Sequence, residues 1–333
     1  MNQTNNDYYH IGPHILNISS SIPIEFSTLL PSFTPFVLPS EEGEKLKTKI
    51  MVNIHTGEVA ITEPINIIQP PVSFEWESSR CTLRRREDGS YLIGITPLDN
   101  PSAEAFADCS EHFQRNIIYL PESLLPKARF IVNNFLMLIY TFATAEQGTL
   151  MVHASVINYE GRGYLFLGKS GTGKSTHTSL WLKHIKGSSL LNDDNPVVSL
   201  NPKTGEATVY GTPWSGKTSC YLNESVPVGA FIRLEQASSN TINRLNDSQA
   251  FAALLPSCSC LKQDTAIFKG IINSVTHMVT NVPVFLLKCL PDEAAARLSM
   301  DIQLPKPENE CNEKETAQQS AHSRGCRTYP RRT

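Results

Sequence analysis

Residues Gly168–Ser175 constrain the fold of this chain more than any other stretch. They spell Gly-Lys-Ser-Gly-Thr-Gly-Lys-Ser and fit the pattern G-x-x-x-x-G-K-[ST], in which a glycine-rich backbone cradles phosphate groups. The apolar run Gly163–Leu167 precedes the loop, and residues 176–185 after it carry apolar side chains near helical spacing. A strand, a loop and a helix in this order are the structural context that the motif requires. The sequence therefore predicts a phosphate-binding turn between a strand and a helix.

The residue types of the loop suit a nucleoside phosphate. Its glycines allow turns that a Cβ would forbid, so that successive N–H groups can point at phosphate oxygens. The helix N-terminus adds partial positive charge. Lys174 can reach the β- and γ-phosphates, and the hydroxyl of Ser175 can coordinate Mg²⁺. The predicted nucleotide-binding residues are Gly168, Lys169, Ser170, Gly171, Thr172, Gly173, Lys174, Ser175 and Thr176.

Composition and charge limit the class of protein. The chain has 333 residues, of which 40% are hydrophobic and 18% charged, as in a globular protein. A net charge of −3 argues against a general nucleic-acid binder, which carries a basic excess. No signal peptide is apparent, and Phe130–Ala145 is shorter than the roughly 20 residues of a membrane span. We expect a cytoplasmic protein with reduced cysteines that binds neither nucleic acid nor a membrane.

Two domains and a tail are predicted, with an α+β or α/β fold. Residues 1–125 form a β-rich domain, because short apolar segments alternate with turn-forming residues. Residues 126–303 form the domain with the phosphate loop, and its first part, 126–148, is a linking helix. Residues 304–333 are polar and lack apolar periodicity, so we expect disorder there. The predicted strands of the first domain are Ile15–Ile18, Lys49–Ile54, Glu58–Ile61, Thr82–Arg85 and Tyr91–Ile95.

The second domain is predicted to alternate strands and helices around the loop. The strand before the loop strand is close enough in sequence for the two to form a hairpin. Further strands are predicted at Thr149–Asn158, Val197–Leu200, Ala207–Tyr210, Val228–Leu234 and Val284–Cys289, and helices at Asp247–Leu255, Asp264–Val279 and from Asp292 onward.

A histidine and two acidic residues flank the loop in the sequence. Asp193 and Asp194 follow a short apolar strand, at the kind of position where nucleotide enzymes hold Mg²⁺. A second carboxylate offers a base that can take a hydroxyl proton. His153 lies on the strand before the loop strand, so a hairpin would bring it beside the phosphates. A turn built on the acidic pair and a structural histidine are the alternatives.

These motifs together resemble the catalytic domain of HPr kinase/phosphorylase, a family related to the phosphoenolpyruvate carboxykinases. The matching residues are His153-Ala-Ser-Val, the phosphate loop and the Asp193-Asp194 pair, within residues 149–236. The resemblance implies an HPr-kinase-like P-loop domain that uses ATP and Mg²⁺ for serine-kinase chemistry. It implies that Asp193 activates the acceptor, that Ser175 and Asp194 bind the metal, and that His153 and Lys174 complete the catalytic set. The overall pattern is similar to uncharacterised bacterial proteins of this type.

The sequence also departs from that family. The Arg-Gly loop of the family is absent, Gly211–Lys217 stands in its place, and Thr176 replaces a glutamate. Lys217 is a candidate catalytic cation for the γ-phosphate, although an exposed lysine without a role is equally expected. The predicted acceptor is a hydroxyl of a protein, peptide or small molecule. Alternatives are a carboxykinase-like enzyme acting on an organic acid, and a non-catalytic nucleotide-binding sensor or scaffold. The sequence leaves the oligomeric state open, and the resemblance adds a homo-oligomer as one alternative, because enzymes of that family often assemble.

Overall fold

The chain forms a mixed α+β fold on two large mixed β-sheets. The computed structural model describes residues 5–21, 24–46, 49–57, 71–76, 78–201, 203–216 and 218–302. Within Met1–Met300, the described residues make up one compact unit. The predicted strand Glu58–Ile61, the candidate Lys217 and the predicted tail 304–333 lie outside the described residues.

The first sheet contains nine strands within the described part of the chain. Its elements are β1 (Asn5–Ile11), β2 (His14–Ser20), α1 (Phe26–Leu29), β3 (Val37–Leu38), α2 (Ser40–Lys45), β4 (Ile50–Thr56), β5 (Val72–Trp76), β6 (Ser79–Arg85), β7 (Tyr91–Pro97), β8 (Ala105–Cys109) and β9 (Arg115–Leu120). The spatial order is β3-β1-β2-β4-β9-β8-β7-β6-β5. Strand β4 runs parallel to β2 and β9, and the other pairs are antiparallel. Four of the predicted strands fall within β2, β4, β6 and β7, apart from Lys49, which precedes β4.

Helix α3 (Ala128–Thr144) is the buried helix that the apolar periodicity predicted. It is preceded and followed by 3₁₀ turns and ends before Gly148, whose φ of 73° lies in the left-handed region that favours glycine. Among the described residues, one helical stretch, Glu122–Gln147, is long and apolar enough to cross a membrane, with a mean hydropathy of 1.2. Because 72% of its apolar window is buried inside the protein, it has the environment of a core helix.

The second sheet carries the glycine-rich loop Gly168–Ser175, which is called the phosphate loop after its sequence motif. Its elements are β10 (Thr149–Met151), β11 (Ala154–Tyr159), β12 (Arg162–Leu167), α4 (Lys174–His184), β13 (Ser189–Asn192), β14 (Val197–Leu200), β15 (Ala207–Tyr210), β16 (Ser225–Gln236), β17 (Thr241–Arg244), α5 (Asp247–Leu254), α6 (Thr265–Asn281), β18 (Val284–Cys289) and α7 (Glu293–Met300). The main order is β10-β14-β15-β16-β12-β11-β13, with β18 paired to β16 and β17. Strands β12, β16 and β18 are parallel, so their carboxyl ends share one edge.

One hydrophobic core runs from the first sheet through α3 into the second. Ile93 of the first sheet, Phe135 of α3 and Leu165 of β12 are fully buried members of the same cluster. The predicted boundary after residue 125 falls next to α3, inside this continuous core. The division of the chain into a β-rich domain, residues 1–125, and a second domain, residues 126–303, stays a prediction.

Candidate functional site

Strand directions explain why distant residues meet at one edge of the second sheet. Strand β11 is antiparallel to both β12 and β13, so β12 and β13 point the same way. At the start of β11, Ala154 pairs with Leu167, the last residue of β12. Two residues later, Val156 pairs with Asn192, the last residue of β13. The segment before β11, the loop after β12 and the acidic pair after β13 therefore lie together.

The phosphate loop has the backbone of an anion cradle. Gly171 and Gly173 have φ values of 80° and 105°, in the left-handed region where a side chain is strained. An added Cβ would meet no atom within 4 Å at either glycine, so backbone conformation is the reason for glycine there. Gly173 caps α4, and the free N–H groups of the first helical turn follow it. The side chain of Gln236, at the end of β16, donates to the carbonyls of Gly171 and Thr172 at 3.4 and 3.5 Å.

Lys174, His153 and Asp194 form one cluster beside the loop. The Nζ of Lys174 lies 2.9 Å from Nε2 of His153 and donates to the Gly168 carbonyl at 3.1 Å. The same Nε2 lies 3.2 Å from Oδ1 of Asp194. One imidazole nitrogen can accept from the ammonium or donate to the carboxylate, but not both, so the two contacts compete for it. Burial lowers the pKa of Lys174, while the nearby carboxylates of Asp194 and Asp193 oppose that shift.

Asp193 and Asp194 have different surroundings although they are adjacent. Asp193 is 4% exposed and accepts a hydrogen bond from the hydroxyl of Ser155 on β11. Its second oxygen, Oδ2, is buried and has no hydrogen-bond partner among the described residues. The side chain of Asp194 is 36% exposed, and its Oδ2 accepts from the amide of Asn195 at 2.7 Å. Asp194 can therefore meet a ligand from solvent, whereas Asp193 cannot without a local opening.

The segment 211–216 packs against the acidic pair. The hydroxyl of Thr212 accepts from the side chain of Asn192 at 3.1 Å and donates to the carbonyl of Asn195 at 2.8 Å. An added Cβ at Gly216 would lie 3.0 Å from the carbonyl oxygen of Asp193 and 3.1 Å from Cβ of Asp194. This close approach requires glycine or a shift of the loop by a few tenths of an ångström. The segment thus fixes the turn that carries both carboxylates.

A cleft of about 1120 Å³ opens at this cluster. His153 and Asp194 belong to its lining, together with Asn195 and residues 213–215. Most of the remaining lining comes from one face of α3 and the two residues before it, from residues 29–32, from strand β5, and from residues 259–263, and Leu83 and Tyr221 complete it. The cleft therefore connects the first sheet and α3 to the cluster beside the phosphate loop.

The structure brings most of the predicted site residues together, and their roles stay predictions. His153, Lys174, Asp193 and Asp194 are neighbours, and the exposed hydroxyl residue Ser175 opens α4 beside them. In the loop, Lys169, Ser170 and Thr176 are exposed, and Thr172 is half-buried.

Sequence reasoning missed Ser155 and left the role of Trp214 undecided between packing under the loop and stacking on a base. Ser155 lies on β11, two residues after His153, which precedes that strand in the structure. The two-residue period of the predicted strand Thr149–Asn158 was the signal that could have placed both side chains on one face. Trp214 is buried, stacks edge-on against Phe33 and donates to the carbonyl of Asn133, so it joins α3 to the site. No local pattern in the sequence signals that contact.

The chain matches a family model and is similar to solved structures. The model described as SynChlorMet cassette protein ScmC matches residues 127–291, just under half of the chain. The Hpr(Ser) kinase/phosphatase from Coxiella burnetii is similar at 14% sequence identity, over 53% of this chain and 99% of that chain, with a TM-score of 0.27. No curated protein matches the chain.

Proposed function

We propose that this chain is an ATP- and Mg²⁺-dependent kinase, of the HPr-kinase-like type, that transfers the γ-phosphoryl group of ATP to a hydroxyl. The observation that carries the proposal is the cluster of Lys174, His153 and two carboxylates at the mouth of a glycine-rich loop and a large cleft. A protein that only binds a nucleotide needs the loop and the lysine but has no need of a base beside them. The motif resemblance over residues 149–236 points to the same chemistry.

ATP would lie along the phosphate loop. The N–H groups of the loop and of the first turn of α4 would bind the phosphate oxygens, and the ammonium of Lys174 would bind the β- and γ-phosphates. In the structure this ammonium contacts His153 and the Gly168 carbonyl. A phosphate is a stronger partner for an ammonium than a neutral imidazole or a carbonyl, so ATP is expected to draw Lys174 away. After that movement, Nε2 of His153 would no longer contact Lys174 and could donate a hydrogen bond to Asp194.

The residues of the site fit a Mg²⁺ ion. Oδ2 of Asp193 is a buried carboxylate oxygen without a partner among the described residues, and hard oxygen ligands are those that Mg²⁺ prefers. The hydroxyl of Ser175 supplies a further oxygen at the start of α4. Mg²⁺ is usually held by one or two carboxylates together with substrate phosphates. Because Asp193 is 4% exposed, binding of the ion to its Oδ2 would need a local opening of the turn that carries it. Bound with ATP, the ion would neutralise phosphate charge.

Transfer requires removal of one proton from the acceptor. The acceptor oxygen forms a bond to the γ-phosphorus, the bond from that phosphorus to the β–γ bridging oxygen breaks, ADP leaves, and the hydroxyl proton passes to a carboxylate. The motif resemblance gives this proton to Asp193 and the metal to Asp194. The exposure of the two side chains favours the opposite assignment, with Asp194 as the base and Asp193 as the metal ligand. Asp194 and His153 line the cleft, whereas Asp193 is buried.

The test measures ATP binding and phosphoryl transfer separately on the full chain. Lys174→Ala is expected to weaken ATP binding and to lower transfer by about 10²–10³-fold, the usual effect of removing one electrostatic stabiliser of the reaction. Calorimetry with Mg·ATP and label transfer from γ-labelled ATP to hydroxyl acceptors give the two readings. Lys183→Ala, an exposed lysine of the same helix, is the matched control.

If Lys174→Ala retains full transfer, the proposal is wrong. If ATP binds but no acceptor takes up label and no phosphate is released, the chain is a nucleotide-binding sensor or scaffold. The variants Asp193→Asn and Asp194→Asn show which carboxylate binds the metal and which acts as the base. The variant of the metal ligand should need more Mg²⁺ for half-maximal rate, whereas the variant of the base should lower the rate at every Mg²⁺ concentration.

A further inference from the structure

The cleft beside His153 and Asp194 has several apolar side chains in its walls away from the catalytic cluster. Helix α3 contributes Phe130, Met137 and Leu138, and strand β5 contributes Val72 and Phe74. Phe74 is 38% exposed and lies beside the other apolar lining residues, so it extends their apolar surface into solvent. Because these walls meet the candidate catalytic groups in one continuous space, whatever fills the cleft also reaches the point of phosphoryl transfer.

The size of the cleft favours a peptide over a small molecule. Small-molecule sites are usually about 300–1,000 Å³ and enclose most of their ligand. At about 1120 Å³, and bounded by segments from both sheets, this cleft exceeds that range. A short extended segment of polypeptide would fill it, with apolar side chains against the walls and one hydroxyl at the cluster.

A polar group in the wall supports the same occupant. Oδ1 of Asn133 is buried and has no hydrogen-bond partner among the described residues. Asn133 lies on the cleft-facing side of α3, and its backbone carbonyl accepts from the indole of Trp214 at 3.3 Å. An unpaired amide in an apolar wall is costly unless a ligand satisfies it. Because Oδ1 itself is buried, a ligand in the cleft would reach Oδ1 only after a half-turn of the side-chain amide, and would otherwise meet the NH₂ group. A peptide backbone carries an N–H and a C=O at nearly every residue, so it has a partner for either orientation.

The charged residues that line the cleft indicate which peptides would bind there. Arg129 and Lys262 line it, and neither has a carboxylate partner within 4 Å among the described residues. A third cation, Lys127, is already paired with Asp99. Glu75 is the acidic lining residue outside the catalytic cluster. Two uncompensated cations against one acid favour an occupant that carries negative charge.

We propose that the cleft binds the acceptor itself, a short peptide segment with a serine or threonine flanked by apolar residues and with acidic residues at its ends. This inference rests on the proposed kinase function, which it deepens by naming the acceptor class. The acceptor hydroxyl meets His153 and Asp194, the apolar neighbours contact Phe74 and α3, and the acidic ends meet Arg129 and Lys262.

Binding of labelled peptides to the full chain tests the inference without requiring transfer. The probe is a fluorescein-labelled peptide with a central serine, leucines on both sides and aspartates at the ends. Two comparison peptides replace the leucines by glutamine or the aspartates by lysine. Fluorescence anisotropy is expected to give a Kd at least tenfold lower for the first peptide than for either comparison peptide.

Three variants locate the binding in the cleft. Phe74→Ser should raise the Kd at least fivefold, whereas Met51→Ser, on β4 of the same sheet and 47% exposed, should not change it. Asn133→Leu should also raise the Kd, although removal of the unpaired amide leaves the free protein at least as stable. Lys262→Glu should reverse the charge preference, so that the lysine-ended peptide binds more tightly than the aspartate-ended one.

Each outcome bears on one proposal. If the three peptides bind equally, or if Phe74→Ser binds like the wild type, the cleft is not the peptide site. Transfer of label to small alcohols with no peptide binding would overturn the inference and leave the kinase function standing. Cleft-dependent peptide binding without any ATP turnover would overturn the kinase function and leave a peptide-binding cleft.

Discussion

His177, a buried residue of the helix after the phosphate loop, makes the stability of the folded protein depend on pH. It is 3% exposed, and its Nε2 lies 2.9 Å from the hydroxyl oxygen of Ser299. That hydroxyl donates its single proton to the carbonyl of Ala296, so it can only accept from the ring. Burial lowers the pKa of His177 to about 4, from the ordinary value of 6.5.

The pH dependence of stability should therefore change in His177→Gln. In the wild type, as pH falls from 6.5 towards 4, the unfolded chain binds a proton at this residue that the folded chain refuses. The free energy of unfolding is then lost with falling pH, by about 2–3 kcal/mol between pH 7 and 4.5 from this residue. Urea unfolding at several pH values should show a flatter dependence in the variant. His277→Gln, which removes an exposed imidazole, is the control, and an unchanged slope in His177→Gln would contradict the assignment.

At the scale of the element, α4 is held in place by one hydroxyl of α7. Ser299 accepts from the indole of Trp181 at 2.9 Å and from the ring of His177 at 2.9 Å. Trp181 is fully buried against Tyr164 and Phe166 of the loop strand. The position of the phosphate loop thus depends on a residue beyond position 291, where the matched family model ends.

Ser299→Ala is expected to destabilise the protein by about 2–4 kcal/mol. The substitution leaves two buried N–H groups unpaired, and each such group costs about 1–3 kcal/mol. Equilibrium urea unfolding at pH 7 measures the change. Ser179→Ala removes an exposed hydroxyl of α4 that bonds only the Ser175 carbonyl, and should change stability by less than about 0.5 kcal/mol. Equal effects of the two substitutions would show that Ser299 does not anchor the helix.

At the scale of the whole molecule, a buried polar contact joins the first sheet to α6. The hydroxyl of Tyr91 donates to Oδ2 of Asp264 at 2.5 Å, and Arg85 lies 3.7 Å from the same carboxylate. Oδ1 of Asp264 accepts from the N–H of Ile267 and so caps α6. The carboxylate of Asp264 therefore contacts the first sheet and caps α6 at the same time.

Tyr91→Phe should lower the free energy of unfolding by about 1–3 kcal/mol, because it removes a hydrogen bond to a buried charged group. Tyr119→Phe, on β9 of the same sheet, is the control and should have little effect.

Fluorescence and circular dichroism during urea unfolding also test the domain boundary that the sequence predicts after residue 125. Two separate transitions would support independent domains, and one cooperative transition that shifts as a whole would contradict them.

Features encoded within a few residues could be predicted from the sequence. The glycine pattern of the loop specifies a backbone that other residues resist, and the Asp-Gly turn between β6 and β7 forms around Gly89, whose φ is 84°. Most strands and helices named from apolar periodicity within the described ranges are present, with boundaries shifted by a few residues. The predicted strand Thr149–Asn158 is wrong as a single strand, because it is divided into β10 and β11, which pair with different neighbours and leave His153 between them. These signals are local, because each depends on the conformational preferences of neighbouring residues.

Long-range contacts were decided by the tertiary structure. Strand pairing, which depends on the packing of whole strands, brings Asp193 and Asp194 to the loop and buries only the first of them. Ser299 meets α4 from more than 100 positions away, and the cleft is assembled from α3 and both sheets. Residues far apart in the chain leave no common pattern in the sequence, because their contact is stabilised by the buried core as a whole. The sequence by itself thus determined the phosphate loop, and the folded core decided which side chains face it.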